Sequence, residues 1–434
     1  MSTSSPSGSP VAASGLEVRP FRALTYRRRD PEHLARVSSP AYDLVTPSGR
    51  DHLADADPHN VVRLILPRRA GGDEPNPDPA SQAAEVLASW LADGILERDD
   101  QPALWLYELQ PSAGTPATVG WLGAVSLPPA GSGAVLPHED TYAPAVEDRR
   151  RLLAATATDL EPIVLAHDPE DSVAGLTSAA RRGDPTLELV DSDGVVHRLW
   201  RHTDPAMLTS LAEGFRRTGA VIADGHHRFA AARANARAGL TRGSDAVLAL
   251  VTPMGRGGLR VAPIHRAVPD LTQEEALAAV GTGFQVSELP VDGDGEAGIL
   301  AAIRRWLASP AETGFLVTDG RRLHRLADPS ADVLAAVPSE APDAWRGLDV
   351  VLAHHGLLAH LWHRGDDPES VLITHTAEEA VRTAVERSGV ALLLRAPSPA
   401  DVAAVARAGA RMPRKSTLFV PKPRTGLVLR PLDD

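Results

Sequence analysis

The chain has 434 residues, which suggests two domains, because a single hydrophobic core rarely grows beyond about 250–300 residues. Hydrophobic residues make up 43% and charged residues 23%, as in globular proteins, and the formal net charge of −12 argues against a nucleic-acid partner. The sequence contains no cysteine, which excludes disulfides, thiolate metal sites and cysteine nucleophiles. It also contains no run of ~18 apolar residues, so we expect no membrane partner.

The amino-terminal part combines a polar tail with short apolar segments. Residues 1–16 are rich in serine and proline, so we expect a disordered tail ahead of a cytoplasmic protein. Tyr42 and Asp43 lie in a turn-rich segment and are candidates for lining a substrate pocket. The apolar run 60–67 predicts a strand, in which Arg63 is either an anion ligand of that pocket or a buried ion-pair partner.

A loop and a helix separate this region from two further predicted strands. Proline and glycine favour a loop over residues 68–80, and apolar spacing predicts a helix over 82–96. The apolar stretches 103–109 and 118–126 predict two strands that pair with each other. We therefore expect a β-rich amino-terminal region, which ends at the proline- and glycine-rich break around 128–133.

A polar cluster follows this break, in a loop before a helix. We assign Glu139 as the candidate general base, because a carboxylate in such a loop is not needed for packing. His138 can orient Glu139 and line the substrate pocket, and the alternative for Glu139 is a helix cap or a solvated acid. The sequence predicts a helix over 147–156 and then a strand over 159–166.

The segment 220–233 carries the strongest chemical signal in the chain. A β-branched apolar run leads through Gly225 into an alanine-rich stretch, which predicts a strand, a tight turn and a helix start. A helix start presents unpaired backbone N–H groups and a partial positive charge, and both favour phosphate. We therefore predict an anion site at this turn.

The side chains of this turn fit that prediction. Asp224 can accept a proton or hold Mg²⁺, and His226 is the second catalytic candidate of the turn. Arg228 can grip two phosphate oxygens, and Gly225 lets a ligand approach the backbone. His227 either binds phosphate or faces the core.

The second half of the chain alternates alanine- and leucine-rich helices with short strands. This pattern predicts an amino-terminal region over 17–270 and an appended carboxy-terminal α/β domain over 271–434. The whole chain is accordingly expected to be of the α/β or α+β class. Four histidines between 354 and 363 have metal-like spacing but fit an apolar helix face better.

Basic residues near the end of the chain form a second predicted anion-binding cluster. Lys415 and Ser416 are candidate phosphate ligands, and Lys422 follows them beyond a short apolar run. If these residues line the site, the carboxy-terminal domain closes over the phosphate turn.

Ordered motifs run through residues 17–432: Phe21-Arg22-Ala23, Pro40-Ala41-Tyr42-Asp43, Leu136-Pro137-His138-Glu139, Asp224-Gly225-His226-His227-Arg228, and Met412-Pro413-Arg414-Lys415-Ser416. Together they resemble the bacterial and archaeal family catalogued as domain of unknown function 1015. Ala41 stands where the family pattern has a second proline. This resemblance indicates a family without indicating a reaction.

The segment 136–233 is also similar to the ParB/sulfiredoxin superfamily, which implies such a core over about residues 131–270. The sulfiredoxin loop reads Gly-Cys-His-Arg, so Gly225-His226-His227-Arg228 matches it except at the cysteine, and sulfinic-acid reduction is excluded. ParB proteins hold CTP phosphates at this place. Free-serine kinases share the Asp-Gly-His-His-Arg turn and a His-Glu-like segment. The resemblance therefore implies a phosphate or nucleotide ligand.

Three functions remain open from the sequence. The first is phosphoryl transfer to a small hydroxylated metabolite such as free serine, with Mg²⁺ and a nucleoside phosphate as cofactors. The second is hydrolysis of phosphoserine or a similar phosphoester. The third is a CTP- or ATP-dependent, ParB-like module that binds DNA or protein without metabolic activity. The oligomeric state is left open.

Overall fold

The computed structural model describes residues 15–68, 78–111, 114–129, 131–239, 243–255, 257–293, 295–309, 314–365, 367, 369–413 and 415–433. The chain divides into two compact units. The first unit contains the chain up to Leu259 and the segment from Pro421 onwards, and the second unit contains residues from Arg260 to Val420. The sequence places the boundary near residue 270 and assigns the whole remaining chain to one domain.

Most of the predicted tail lies outside the described residues, which begin at Gly15. Leu16, its last residue, is buried, and its backbone N–H donates to the carbonyls of Phe215 at 3.1 Å and Thr218 at 3.0 Å. Leu16 therefore packs into the core of the first unit.

The first unit mixes short strands and helices in chain order. Its strands before the second unit are β1 (Val18–Arg19), β2 (Leu24–Tyr26), β3 (Leu96–Arg98), β4 (Leu104–Gln110), β5 (Thr118–Ser126), β6 (Val135–Leu136), β7 (Thr158–Asp159), β8 (Ile163–His167), β9 (Leu187–Val190), β10 (Val196–His202), β11 (Ala220–Asp224) and β12 (Ala246–Pro253). Its helices are α1 (Pro31–Val37), α2 (Pro47–Ala56), α3 (Val62–Ile65), α4 (Pro79–Ala92), α5 (Ala143–Thr156), α6 (Asp171–Ala180), α7 (Pro205–Phe215) and α8 (His226–Ala238), with a 3-10 turn at Tyr42–Leu44.

A mixed sheet forms the centre of the first unit. Its order is β6-β11-β8-β12-β5-β4-β10-β9, and β1 pairs with β5. β8 runs parallel to β12 and β6 parallel to β11, whereas β11 is antiparallel to β8. Val173 of α6, Phe215 of α7 and Phe229 of α8 are buried in the same core as Trp121 and Ile222 of the sheet. The mixed α/β class predicted from the sequence is confirmed, and the ParB/sulfiredoxin-like core stays a prediction.

The apolar run predicted as a strand around Arg63 is helical instead. The Asn60 side chain accepts the Val62 N–H at 2.9 Å, which favours a helical turn over the extended chain that apolar residues alone suggest. Arg63, in α3, donates to the Ala54 carbonyl of α2 at 2.6 Å. The strand prediction is therefore wrong, and this arginine ties two helices together.

Other elements match the predicted type with shifted ends. The two apolar stretches before residue 127 are the paired strands β4 and β5, as predicted. α4 begins at Pro79 and α5 at Ala143, each several residues before the predicted start, since proline is well tolerated in the first turn of a helix. Of the predicted loop 68–80, residues 69–77 lie outside the description.

The second unit alternates strands with helices. Its strands are β13 (Arg260–Ala262), β14 (His265–Val268), β15 (Gln285–Glu288), β16 (Phe315–Thr318), β17 (Leu323–Ala327), β18 (Leu372–Thr374), β19 (Val390–Leu393) and β20 (Leu418–Val420). Its helices are α9 (Gln273–Val280), α10 (Gly295–Ala308), α11 (Ala331–Ala335), α12 (Asp343–Arg346), α13 (Asp349–Leu352), α14 (Ala377–Glu386) and α15 (Pro399–Arg407), with a π-helical segment at Ala353–Leu361.

A six-stranded sheet organises this unit in the order β15-β17-β16-β19-β14-β18, and β13 pairs with β20 in a separate ribbon. The helices α10 and α14 pack on it through buried aliphatic residues and Trp306. The predicted histidine face falls on the π-helical segment, where His354 contacts Arg266 and His360 contacts Asp332. Within the described ranges, no group of three or more histidines and carboxylates could hold a metal ion.

The last residues of the chain return to the first unit as β21 (Arg430–Pro431), which pairs with β7. Arg430 and Asp159 form a buried ion pair at 2.6 Å, and Asp159 also accepts the Leu248 N–H at 2.8 Å. This contact joins the end of the chain to the middle of the first unit, so the fold of that unit depends on residues more than 270 positions apart.

Replacing Asp159 with asparagine tests this pair. Asp159→Asn leaves the buried Arg430 charge uncompensated, and we expect a loss of about 3–5 kcal/mol in the free energy of unfolding. Thermal unfolding followed by circular dichroism measures the loss. Arg19→Met, which breaks the exposed pair with Asp245, is the matched control and should change stability by less than about 1 kcal/mol. Equal losses in the two variants would contradict the assignment.

Candidate functional site

The predicted strand, turn and helix at the Asp-Gly-His-His-Arg segment are confirmed. β11 ends at Asp224, Gly225 has φ 92°, and α8 begins at His226. The pairing register of β11 with β8 shifts between Ile222 and Asp224, which indicates a bulge at the end of the strand. A Cβ on Gly225 would lie 2.8 Å from Ile163 Cγ2, so both backbone conformation and packing require glycine.

Arg228 is anchored by the protein itself. Its guanidinium donates to Asp224 Oδ2 at 2.6 Å and to the Pro162 carbonyl at 2.6 Å. Its Nε atom is buried and has no hydrogen-bond partner among the described residues. Burial opposes its charge, but Glu161 and Asp224 raise the pKa of Arg228 above the usual value. Two of its three nitrogens are thus engaged without a ligand.

Lys422 joins two predicted site residues that are far apart in sequence. Its Nζ lies 2.5 Å from Asp43 Oδ2 and 2.7 Å from Asp224 Oδ1, and its side chain is only 9% exposed. Burial raises the pKa of Asp43, but the charges of Lys422 and Arg228 outweigh burial and lower it. Burial likewise lowers the pKa of Lys422, and the two carboxylates raise it more. Asp43 and Lys422 are therefore both charged at neutral pH.

Tyr42 forms a wall of this cluster. Two guanidinium carbons lie over its ring, that of Arg149 at 4.8 Å and that of Arg228 at 5.5 Å from the centroid. Its backbone N–H donates to Glu161 Oε1 at 3.0 Å, and the hydroxyl of Thr425 donates to the same oxygen at 3.0 Å. Arg149, Glu161 and Arg228 also line a cavity beside α5 and α8.

The two histidines of the turn hold the preceding loop. His226 Nε2 accepts the backbone N–H of His138 at 3.3 Å, and His227 Nε2 accepts that of Tyr142 at 3.1 Å. The rings of His138 and His226 meet edge to face, with centroids 4.6 Å apart. The loop that contains Glu139 is therefore fastened over the start of α8.

Glu139 lies between two imidazoles. Its Oε1 is 3.8 Å from His138 Nε2 and its Oε2 is 3.9 Å from His226 Nδ1, and its side chain is 36% exposed. Because His226 Nε2 accepts a hydrogen bond, a neutral His226 carries its proton on Nδ1, which faces Glu139. The structure thus places His226 beside His138 and Glu139, although His226 is far from both in the sequence.

Three further predicted site residues have hydrogen bonds of their own. Arg63 is bonded to α2, as described above. Lys415 and Ser416 belong to the second unit, where the Lys415 carbonyl accepts from Arg266 at 3.0 Å and the Ser416 hydroxyl donates to the Pro413 carbonyl at 2.6 Å. Their contribution to a phosphate site stays a prediction.

The residues of the turn do not fit a protein-held Mg²⁺ ion. Both carboxylate oxygens of Asp224 are bonded to cationic side chains, Oδ1 to Lys422 and Oδ2 to Arg228. Across the described part of the chain, no cluster offers three or more metal-binding side chains.

Sequence reasoning missed two neighbours of Tyr42, namely Glu161 and Arg149, whose side chain is only 11% exposed. It noticed Lys422 without placing it at the turn. A signal for Lys422 was present, since only two of the 44 lysine and arginine residues are lysine. No comparable signal marks Glu161, because one carboxylate before a proline has many explanations.

Fold and site together define a mixed α/β protein in which a strand leads through a glycine turn into a helix. The chain belongs to the family described as "Protein of unknown function (DUF1015)", whose profile matches residues 18–351. This confirms the family expected from the motifs. No curated protein matches the chain at a significant level. In the described residues, no helix is long and apolar enough to cross a membrane.

Several solved structures align with much of the chain at low similarity. A conserved hypothetical protein from Pyrococcus furiosus has 14% identity and a TM-score of 0.30, over 69% of this chain and 90% of that one. A free serine kinase in complex with AMP has 13% identity and a TM-score of 0.33, over 71% and 91%. SbnI from Staphylococcus aureus, truncated at its C-terminus, has 12% identity and a TM-score of 0.34, over 72% and 87%. Such TM-scores do not establish a common fold.

Two glycines at opposite ends of α8 separate the effects of conformation and packing. Gly225→Ala and Gly239→Ala both place alanine at positive φ, which costs about 1–2 kcal/mol. Only the Cβ at position 225 meets Ile163, so Gly225→Ala should lose about 1–3 kcal/mol more. Thermal unfolding of both variants measures the difference. Equal losses would show that the turn tolerates a side chain.

The pH dependence of stability tests the ion pairs of Lys422. Because the pKa of Asp43 is lowered, its pairing stabilises the fold above pH 3.8 and is lost as the pH falls further. Because the pKa of Lys422 is raised, its pairing is present below pH 10.5 and is lost as the pH rises through the higher folded value. The difference in melting temperature between the parent and Lys422→Met should thus stay constant from about pH 5 to 9. A change between pH 6 and 8 would contradict these pairs.

Proposed function

We propose that the protein binds a nucleotide at the Asp224–Arg228 turn and transfers a phosphoryl group to a small hydroxylated metabolite. The observation that carries this proposal is the position of Glu139, a carboxylate held between two imidazoles at the start of α8. A helix start attracts phosphate, and a carboxylate beside it can accept a hydroxyl proton. The two groups that phosphoryl transfer needs therefore lie at one helix end.

In the proposed site, the phosphate is bound by the backbone N–H groups at the start of α8 and by the side chain of Arg228. The 13-residue helix α8 directs the positive end of its dipole at the turn, and Arg228 adds a positive charge that Asp224 orients. Electrostatic stabilisation by fixed dipoles and charges is the main protein contribution to phosphoryl transfer. Preformed hydrogen bonds keep these groups in position before a ligand arrives.

Glu139 has the place and the neighbours of a general base. Its carboxylate is partly exposed, so an acceptor hydroxyl can reach it, and His226 Nδ1 lies on one side of it. His138 and His226 act as positioning residues, since they hold the loop and the carboxylate. Free serine is the acceptor to be tested first.

An exposed aromatic ring supports a nucleotide over inorganic phosphate. Tyr142 is 68% exposed, and its backbone is bonded to His227 of the turn. A solvent-exposed ring close to a phosphate site offers a surface on which a base can stack. The hydrolase alternative would use His226 as nucleophile or acid. It has less support, because His226 Nε2 already accepts a backbone hydrogen bond.

Ligand-induced thermal stabilisation tests the binding part of the proposal. ATP, ADP, AMP, CTP and phosphoserine are compared at equal concentrations, each with and without Mg²⁺. Stabilisation by an adenine nucleotide, followed by serine-dependent phosphoryl transfer seen by ³¹P NMR, is the expected result. Stabilisation by phosphoserine alone would favour a hydrolase, and stabilisation by CTP without turnover would favour a binding module. No stabilisation by any nucleotide would overturn the proposal.

Replacing Glu139 with glutamine tests the catalytic part. Glu139→Gln removes the base but keeps the size of the side chain, so kcat should fall by about 10²–10⁴ while nucleotide affinity changes little. Glu147→Gln, on the exposed side of α5, is the matched control and should retain full activity. Turnover of Glu139→Gln at the parent rate would remove Glu139 from the mechanism.

A further inference from the structure

Lys422 occupies the space between two carboxylates from distant parts of the first unit. Its Nζ is within 2.7 Å of both Asp43 Oδ2 and Asp224 Oδ1, and the side chain is nine-tenths buried. Carboxylate oxygens that converge in this way are ordinary ligands of hard divalent cations. In this protein the converging oxygens face an ammonium group.

The choice of lysine at this position is informative. The chain uses arginine for nearly all of its basic residues, and its two lysines are Lys415 and Lys422. An ammonium group is a compact point charge with three donors, whereas a guanidinium is a wide planar fork. One nitrogen at short distance from two carboxylates therefore suits lysine. The composition of the chain and the geometry of the site independently point to a specific requirement for an ammonium group.

The charges around Lys422 balance within the cluster. Asp224 is shared between Lys422 and Arg228, and Asp43 is held by Lys422. Two carboxylates beside an anion turn would repel phosphate if they carried no counter-charge. Neutralisation by Lys422 removes this repulsion without an ion from solution.

We propose that Lys422 is a resident cation, which neutralises Asp43 and Asp224 in the place that a divalent metal ion would otherwise take. Lys422 is thus a positioning residue of the site. The relevance of this role to phosphate binding rests on the proposed function, but the contacts that carry the proposal involve no ligand. Its test therefore uses Mn²⁺ alone, and its outcome is separate from that of the nucleotide experiments.

Removal of the ammonium should turn the pair of carboxylates into a metal site. Lys422→Met changes the charge of the three groups from −1 to −2, so it should bind one Mn²⁺ per chain at least about tenfold more tightly than the parent, as measured by electron paramagnetic resonance. Lys422→Met combined with Asp224→Asn should lose this binding. A folded Lys422→Met that binds no additional Mn²⁺ would overturn the proposal.

A second measurement on the unaltered protein covers the case in which Lys422→Met does not fold. Labelling with ε-¹⁵N-lysine gives only two ammonium signals, because the chain has two lysines, and Lys415→Arg assigns them. We expect the Lys422 signal to keep its width when one equivalent of Mn²⁺ is added. Broadening of this signal at stoichiometric Mn²⁺ that disappears in Asp43→Asn would show that the ion binds at these carboxylates beside Lys422, and the proposal would be wrong.

Discussion

Compensation of carboxylates by the segment from Pro421 onwards is the interaction on which the first unit depends. Asp159 is paired with Arg430, Glu161 accepts the Thr425 hydroxyl, and Lys422 bridges Asp43 and Asp224. A buried charge without a partner costs several kcal/mol, so the buried carboxylate of Asp159 is tolerable only when Arg430 is in place. The segment from Pro421 onwards is therefore an integral part of the unit that carries the candidate site, although the whole second unit precedes it in the chain.

The two histidines of the turn show how one motif serves structure and chemistry together. Each uses Nε2 to accept a backbone N–H of the loop before α5, which fixes the tautomer of a neutral ring and the position of Glu139. Their conspicuous place in the sequence suggests direct contact with a ligand. Their hydrogen bonds indicate that they first organise the protein around the place where a ligand would bind.

The matching family is described as one of unknown function, so it assigns no reaction to this chain. The proposed function rests on two features of the site, namely the start of α8 with its oriented Arg228 and the carboxylate of Glu139 beside it. A site built this way can hold an anion and remove a proton from a neighbouring hydroxyl. Asp224 is bonded to both Arg228 and Lys422. These bonds indicate that side chains, and not a bound metal ion, compensate the charge of this carboxylate.

Local patterns in the sequence determined the mixed α/β class, the strand–glycine–helix turn and the chemical types of its residues, because apolar periodicity and glycine placement act over a few neighbouring positions. The same local patterns predicted a strand around Arg63. That prediction was wrong, because the Asn60 side chain stabilises a helical turn within this apolar run. Only the tertiary structure decided that Glu161 supports Tyr42 and that Lys422 reaches Asp43 and Asp224. Those contacts join residues up to 379 positions apart, and such pairings are set by how sheets and helices assemble, a property that no short stretch of sequence contains.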